Sequence, residues 1–537
     1  MRRLVALALV VVLVAPNASA VASDPQGRND SSHPSIAAVH PNPITDGDAG
    51  EFVVLDVPAG TDLEKYRLRD GEGSVGLPNA SVAGEVALST DPAAARNLTS
   101  LPARGLKGHL ALANGGENLS LVRGNRTVDT LRYTDAPEGE RGTPTADGIR
   151  WHHPGMTDFD VVDATGGQVR AFALPDAAGL PTEFLESADD RLLVGGYTWT
   201  SRPATDALVA AAERGVTVRV LLDADPVGGR SAASARALDQ LVAANVSVRL
   251  LGGERPRYAF HHAKYAIADD RALVTTENWK PSGTGGHSNR GWGVVVQQKA
   301  VVSRLAALFR TDSEAVDARP WEAIRADEST VAAGRATESY PTRFPPSTVP
   351  VDRVRLLVAP DNVEREVVHV IDSATDSIDV LQVSVGSRQH PFVRALVRAA
   401  ERGVRVRLLL SGASYVQREN RDLAERLNDL GRERALPIEA RVVDPRSRFG
   451  VVHAKGVVVD RDRVLVGSVN WNNNSVRNNR EVLVDLSGEA VGQYFTRVFR
   501  ADWRGGRWRL SMGVAGVAVV AVLVAGLVGR WVRFRPR

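Results

Sequence analysis

The run Phe260-His261-His262-Ala263-Lys264-Tyr265-Ala266-Ile267-Ala268-Asp269 has an echo later in the chain, Val452-His453-Ala454-Lys455-Gly456-Val457-Val458-Val459-Asp460. Both contain His-x-Lys followed by Asp: His262, Lys264 and Asp269 in the first, His453, Lys455 and Asp460 in the second. Each is followed at a similar distance by a second signature, Thr275-Thr276-Glu277-Asn278-Trp279 and Gly467-Ser468-Val469-Asn470-Trp471. Apolar and β-branched residues bounded by polar ones read as a buried strand. Residues two apart on a strand share a face, so His262 projects with Lys264 and His453 with Lys455. Asp269 and Asp460 fall at or past the strand end, off that face, and Asn278 and Asn470 return from a following loop or strand. An imidazole, an ammonium and a carboxamide suit a phosphate group: Lys and Asn hold the oxygens while the imidazole attacks or donates a proton.

Lysine usage sharpens this reading. Of 66 Lys and Arg residues only six are Lys, namely Lys65, Lys107, Lys264, Lys280, Lys299 and Lys455, and two of those fill the motif positions. A chain that elsewhere prefers Arg keeps the compact ammonium where a planar guanidinium would not substitute for it. Two copies of such a rare combination, in matching contexts, exclude coincidence.

The paired motifs, with the Gly-Ser-x-Asn element at Gly467, Ser468 and Asn470, resemble the twin His-Lys-Asp motifs of the phospholipase D superfamily. The resemblance covers about residues 169–503. It implies one active site built from two halves, in which one His attacks phosphorus to give a phosphohistidine and the other protonates the leaving alcohol. Carried over by analogy, His262 is the nucleophile and His453 the general acid, with Lys264, Asp269, Asn278, Lys455, Asp460 and Asn470 completing the catalytic set. Thr276, Ser468 and Glu481 are expected to bind phosphate or support the site. The first half departs from the pattern: Thr275-Thr276 stands where the family usually has Gly-Ser, and Gly291 stands where the second half has the acidic Glu481.

The body is an internal duplication. Pro175-Asp176 is matched by Pro360-Asp361, Ala211-Ala212-Glu213-Arg214-Gly215-Val216 by Ala399-Ala400-Glu401-Arg402-Gly403-Val404, and Phe309-Arg310 by Phe499-Arg500. Strand and helix patterns alternate in each copy, which argues an α/β sheet flanked by helices. We read phospholipase D-like repeats at 165–315 and 351–503, joined by a Pro-rich linker at 316–350.

Other segments flank this body. Residues 1–20 read as a secretory signal peptide, with Arg2 and Arg3, an apolar core and Ala18-Ser19-Ala20 as cleavage site. Short strand-like runs (52–57, 86–89, 109–113, 119–122, 128–133) punctuated by turn residues predict an all-β sandwich over 35–140. Pieces such as Glu51-Phe52-Val53-Val54-Leu55 and Val128-Asp129-Thr130-Leu131-Arg132-Tyr133 resemble the lamin-tail domain, an immunoglobulin-like fold. No catalytic constellation is visible there, and His40 and His109 read as structural. Asn29, Asn79, Asn97, Asn118 and Asn125 each begin an Asn-x-Ser/Thr sequon, consistent with export. Residues 510–529 carry no charge and are long enough to span a bilayer, with Trp503, Trp508 and Trp531 at the flanks and an Arg-rich tail at 530–537.

A formal net charge of +3 is not the footprint of a dedicated nucleic-acid binder, and the absence of Cys excludes disulfides, thiolate metal sites and cysteine nucleophiles. The expected protein is a single-pass cell-membrane enzyme with an extracytoplasmic body and a cytoplasmic tail, acting on phospholipid as hydrolase or phosphatidyltransferase. An extracytoplasmic nuclease using the same site is the alternative, and a non-catalytic adhesion or scaffold protein is disfavoured by two intact His/Lys/Asn sets. No cofactor or metal is expected, because Lys264 and Lys455 supply positive charge. No obligate dimer is expected either, because one chain brings both half-sites.

Overall fold

The computed structural model describes residues 33–505, apart from 44–45, 81, 97, 100, 153–154, 158, 254–255, 316, 328, 333–335 and 446. The expected signal peptide, membrane span and cytoplasmic tail lie outside the described residues; among those described, no helix is long and apolar enough to cross a membrane.

The N-terminal region is a β-sandwich of a six-stranded and a four-stranded sheet. Alternating apolar residues of Phe52–Val57 and Gly84–Ser89 meet those of Gly116–Arg123 and Arg126–Thr134 in one core. The expected strand at 109–113 does not form. Leu110 and Leu112 are buried, but their N–H groups go to the Thr90 hydroxyl and the Glu51 carboxylate, so side chains replace a ladder partner. His40 is structural: burial pushes it down to about 4 while its Nδ1 lies 3.0 Å from the Glu140 carbonyl oxygen.

The duplicated body contains two mixed sheets with the same seven-strand order. In the first repeat the order is Ser247–Leu251, Thr217–Asp223, Arg191–Gly196, Tyr265–Ala268, Arg271–Thr275, Gly291–Val296, Gln168–Leu174. In the second it is Ile438–Val442, Arg405–Leu410, Ser377–Gln382, Gly456–Val459, Arg463–Gly467, Glu481–Ser487, Arg353–Ala359. Parallel pairing is confined to the three strands joined by helices, as right-handed crossovers require, and the remainder are antiparallel. Helices Arg202–Glu213 and Pro391–Glu401 end where Gly215 and Gly403 take φ of 92° and 90°, which turns the chain back into the next strand.

One face of each sheet packs on its own helices. The other faces merge, with helices Lys299–Ser313 and Glu489–Arg504, into a core shared by both repeats. The segments leading into the repeats cross over. Val162–Thr165, before the first repeat, pairs with Arg353–Ala359 of the second; Ser347–Pro350, before the second, pairs with Gln168–Leu174 of the first. The stretch read as linker therefore closes a sheet edge.

Two buried ion-pair clusters pin the interface. Arg290 bonds Asp176 of its own repeat at 2.6 Å and Asp502 of the other at 2.9 Å. Arg480 does the reverse, with Asp361 and Asp312 each at 2.9 Å, and also meets the Tyr258 hydroxyl. These guanidiniums are 1% and 0% exposed, so each depends wholly on its carboxylates for charge balance.

Candidate active site

His262 and Lys264 do not sit on a regular strand; they belong to the segment that runs into Tyr265–Ala268. That segment crosses to the other repeat: the His262 amide donates to the Arg480 carbonyl at 2.9 Å, and the His453 amide to the Arg290 carbonyl at 3.0 Å. The backbone thereby threads each His into the opposite half. Each lysine folds back on its own turn, with Lys264 Nζ 2.6 Å from the His262 carbonyl oxygen and Lys455 Nζ 2.7 Å from that of His453.

Each imidazole is gripped by a carboxylate of the other repeat. His262 Nδ1 lies 2.9 Å from both Glu481 oxygens, and His453 Nδ1 lies 3.2 and 3.1 Å from those of Glu277. With Nδ1–H donating to a carboxylate, Nε2 is left with its lone pair. Glu481 was anticipated from sequence and Glu277 was not. The alignment pointed to Gly291 as the first repeat's counterpart of Glu481 and gave no carboxylate there. The structure supplies one from the loop position that holds Val469 in the second repeat. A Cβ on Gly291 would sit 2.3 Å from Glu277 Cγ, so the glycine is the space into which Glu277 folds. The supports correspond as well: Asn289 Nδ2 donates to Glu277 at 2.8 Å and Asn479 Nδ2 to Glu481 at 3.1 Å. The signal available in sequence was the joint occurrence of Glu277 with Gly291.

Electrostatics couple the halves. Burial drives His262 down to about 4, with Glu481 opposing the fall and Lys264 adding to it; His453 is lowered in the same way, by burial against the pull of Glu277. Burial also takes Lys264 well below the ordinary lysine range and Lys455 to about 8. The carboxylates move oppositely to what burial favours: His453 and Lys455 hold Glu277 low, and His262 and Lys264 hold Glu481 low. Lys455 of one repeat depresses both His262 and Lys264 of the other, so the two half-sites share one field.

Asn278 and Asn470 each keep a buried side-chain Oδ1 with no hydrogen-bond partner among the described residues. A buried carboxamide left open in both halves fits a ligand that is to be held there.

Two of the expected catalytic residues do other work. Asp269 and Asp460 stand outside the cleft at φ of 55° and 51°, in the left-handed region that Asp tolerates. Asp269 accepts the amides of Asp189, Asp190 and Arg191, and Asp460 those of Thr375, Asp376 and Ser377. They staple a turn to the strand before it, as their position past the strand end dictates, and take no place among the reacting groups. Thr276 and Ser468 are fully buried and engaged with backbone: Thr276 Oγ1 accepts from Trp292 N and donates to Glu277, and Ser468 Oγ accepts from Val482 N and contacts Glu481. They support the carboxylates, which is the second of the two roles expected of them.

A twofold-related pair of imidazoles, each backed by a carboxylate and flanked by a lysine and an open carboxamide, defines a two-half phosphate-handling centre. The chain belongs to the family described as "Cardiolipin synthase, PLD-like domain", whose model matches residues 182–313 and 367–503, and so to the phospholipase D superfamily of phosphodiesterases and phosphatidyltransferases. Among solved structures, phosphatidylserine synthase of Haemophilus influenzae Rd KW20 is similar at 12% identity and a TM-score of 0.46, over 62% of this chain and 84% of that one. Nuc from Salmonella typhimurium, a phospholipase D family member, is similar at 19% identity and 0.26, over 29% and 97%. NucT from Helicobacter pylori is similar at 20% identity and 0.24, over 28% and 96%. No curated protein matches this chain.

Proposed function

We propose that this protein is a membrane-anchored, extracytoplasmic phospholipid phosphodiesterase or phosphatidyltransferase. The observation that carries the reading is the crossed pair of His–Glu contacts, His262 with Glu481 and His453 with Glu277. Glu277 and Glu481 are held ionised by the imidazoles and lysines they face, so a bound phosphodiester adds a further negative charge to the site. Uptake of one proton by an imidazole offsets that charge. The site thus produces the unequal pair the chemistry needs, one neutral ring and one protonated ring, when substrate enters.

In this scheme His262 Nε2 attacks phosphorus and the bond from phosphorus to the leaving oxygen breaks, while His453 delivers its proton to that oxygen. Water or an alcohol then attacks phosphorus, the P–N bond breaks, and the proton returns to His453. Lys264, Lys455 and the Nδ2–H groups of Asn278 and Asn470 hold the non-bridging oxygens, where charge develops.

Lipid is favoured by the surroundings of the cleft. Val227 and Tyr415 occupy corresponding loops after the strands Thr217–Asp223 and Arg405–Leu410 and are 76% and 67% exposed. The Val227 amide donates to the Tyr197 hydroxyl, whose ring lies 4.8 Å from that of His262, and Tyr415 lies within the field of Glu277. The uncharged stretch at 510–529 supports an anchor. At roughly 3.5 Å per residue the few residues before it keep the catalytic body within about 25 Å of the bilayer. The family's description as cardiolipin synthase points the same way. The lamin-tail resemblance of the sandwich remains part of this proposal as an accessory domain.

The test incubates the full chain with vesicles of radiolabelled anionic phospholipid and, separately, with single- and double-stranded DNA. Headgroup release or exchange is expected, falling to background in His262→Ala and His453→Ala. Cleavage of DNA with lipid left intact replaces the lipid reading with the nuclease one, and activity retained by both variants overturns the mechanism.

A further inference from the structure

The asparagines of this chain fall into two kinds, and the division follows the domains. Residues 35–140 contain six, Asn42, Asn79, Asn97, Asn114, Asn118 and Asn125, and all but Asn42 and Asn114 have Ser or Thr two places on. Residues 155–505 contain twelve, of which only Asn245 and Asn473 do. The structure separates the sandwich asparagines in the same way. Asn42 and Asn114 are half-buried and spend their side-chain amides on the fold: Asn42 Nδ2 donates to the Ala136 carbonyl at 2.9 Å and Asn114 Nδ2 to Asp48 at 3.1 Å. Asn79, Asn118 and Asn125 are exposed, and their side-chain amides have no hydrogen bond among the described residues. Asn97 lies outside the described residues.

Asn125 presents the sequon most openly. Arg123 pairs with Arg126 across a hairpin, so Gly124 and Asn125 form its two-residue tip, with Gly124 at φ of 60°. Thr127, on the returning strand, is exposed as well. Turn chemistry accounts for an Asn at such a tip, but not for a hydroxyl two places beyond four asparagines of six. Asn118 stands on the four-stranded sheet opposite Arg132, and both are exposed. Asn473 is the contrast. Its Ser475 is 1% exposed and donates to Glu481 at 2.9 Å, so that hydroxyl is committed to the carboxylate behind His262. Asn245, past the end of the helix Ala232–Ala243, is exposed together with Ser247 and belongs with the sandwich set. Resting on the extracytoplasmic reading above, we propose that Asn79, Asn118, Asn125 and Asn245 carry N-linked glycans, which makes the sandwich a glycan-bearing outer domain. The donor is a lipid-linked oligosaccharide. The Asn Nδ2 attacks its anomeric carbon, the C–N bond forms as the C–O bond to the lipid phosphate breaks, and the amide proton is lost to solvent. The bulky polar chains then keep these surfaces in water.

The experiment purifies the full chain from the cells that make it and maps its peptides by mass. Peptides bearing Asn79, Asn118, Asn125 and Asn245 are expected to carry added mass in whole-sugar increments, and the Asn473 peptide none. Asn125→Gln and Thr127→Val lose the increment at that site, whereas Thr127→Ser keeps it. Val and Ser both fit an exposed strand position, so a loss confined to Thr127→Val reports recognition of the hydroxyl rather than folding. Unmodified Asn118 and Asn125 peptides overturn the proposal, as does an increment that survives Thr127→Val or one found on Asn473 alone. Protease added to intact cells separates the proposal from the location on which it rests. A sandwich cleaved from outside yet bare of sugar overturns the glycans and leaves the extracytoplasmic reading standing. A sandwich protected inside the cell and bare of sugar overturns both.

Discussion

Replacing Gly291 by Ala adds one methyl group and should disable the far half of the site. The new Cβ would lie 2.3 Å from Glu277 Cγ, 2.7 Å from Cδ and 2.6 Å from Oε1. Carbon atoms rest at about 3.5–4.0 Å, so the Glu277 side chain must retreat by roughly 1 Å or more. Its bonds to His453, at 3.1–3.2 Å, have no slack for that displacement. Misplacing a catalytic group by about 1 Å costs on the order of 100-fold in rate, and overpacking a full core costs about 1–3 kcal/mol of stability. We expect kcat on the chromogenic diester bis(p-nitrophenyl) phosphate to fall about 100-fold in Gly291→Ala, with a lower Tm. The double change Glu277→Val with Gly291→Glu transplants the second repeat's arrangement, Val469 with Glu481. It should recover at least tenfold over either single change, a coupling of about 1.4 kcal/mol. Gly291→Ala activity within threefold of the unaltered chain, at unchanged Tm, would refute the crossed geometry.

Arg480→Met leaves Asp312 and Asp361 buried without their cation and should cost about 3–5 kcal/mol in denaturant unfolding, whereas the exposed Arg418→Met should cost under about 0.5 kcal/mol. Because Lys455 titrates near 8 in the folded chain, kcat/KM should decline as pH rises through about 8, and Lys455→Met should abolish that limb along with most of the activity. Stability should fall with acid: His262 titrates at about 4 when folded against 6.5 when unfolded, so the unfolded state binds the extra proton between those values and His262→Ala should flatten the loss there. Asp269→Ala removes an acceptor shared by three amides and should cost about 1–2 kcal/mol of stability in denaturant unfolding while changing kcat by less than about threefold; a loss as large as that of His262→Ala would return Asp269 to the reacting set. Activity should persist in chelator, since Lys264 and Lys455 provide the charge.

Much of this was legible in sequence because it is local or repeated. The His-x-Lys spacing and the repeated helix-ending Ala-Ala-Glu-Arg-Gly are short-range patterns, and their duplication fixed the two-sheet body. Lysine scarcity alone marks Lys264 and Lys455. Contacts made across the repeats were not legible. The alignment of Asn289-Arg290-Gly291 with Asn479-Arg480-Glu481 was visible, yet nothing local says that Arg290 and Arg480 lock opposite helices, or that a glycine on a strand makes room for a glutamate on a loop. Asp269 and Asp460 were grouped with the catalytic residues because they share the motif's spacing; the amides they hold belong to segments some eighty residues earlier in the chain.

The traded edge strands have a consequence for how the molecule can be taken apart. A cut between residues 324 and 347 leaves the N-terminal fragment carrying Val162–Thr165 without the ladder it was built to join, and the C-terminal fragment carrying Ser347–Pro350 in the same state. Each piece then displays a bare sheet margin that only the other piece fits, so the two halves are a matched lock, soluble and competent only when produced together.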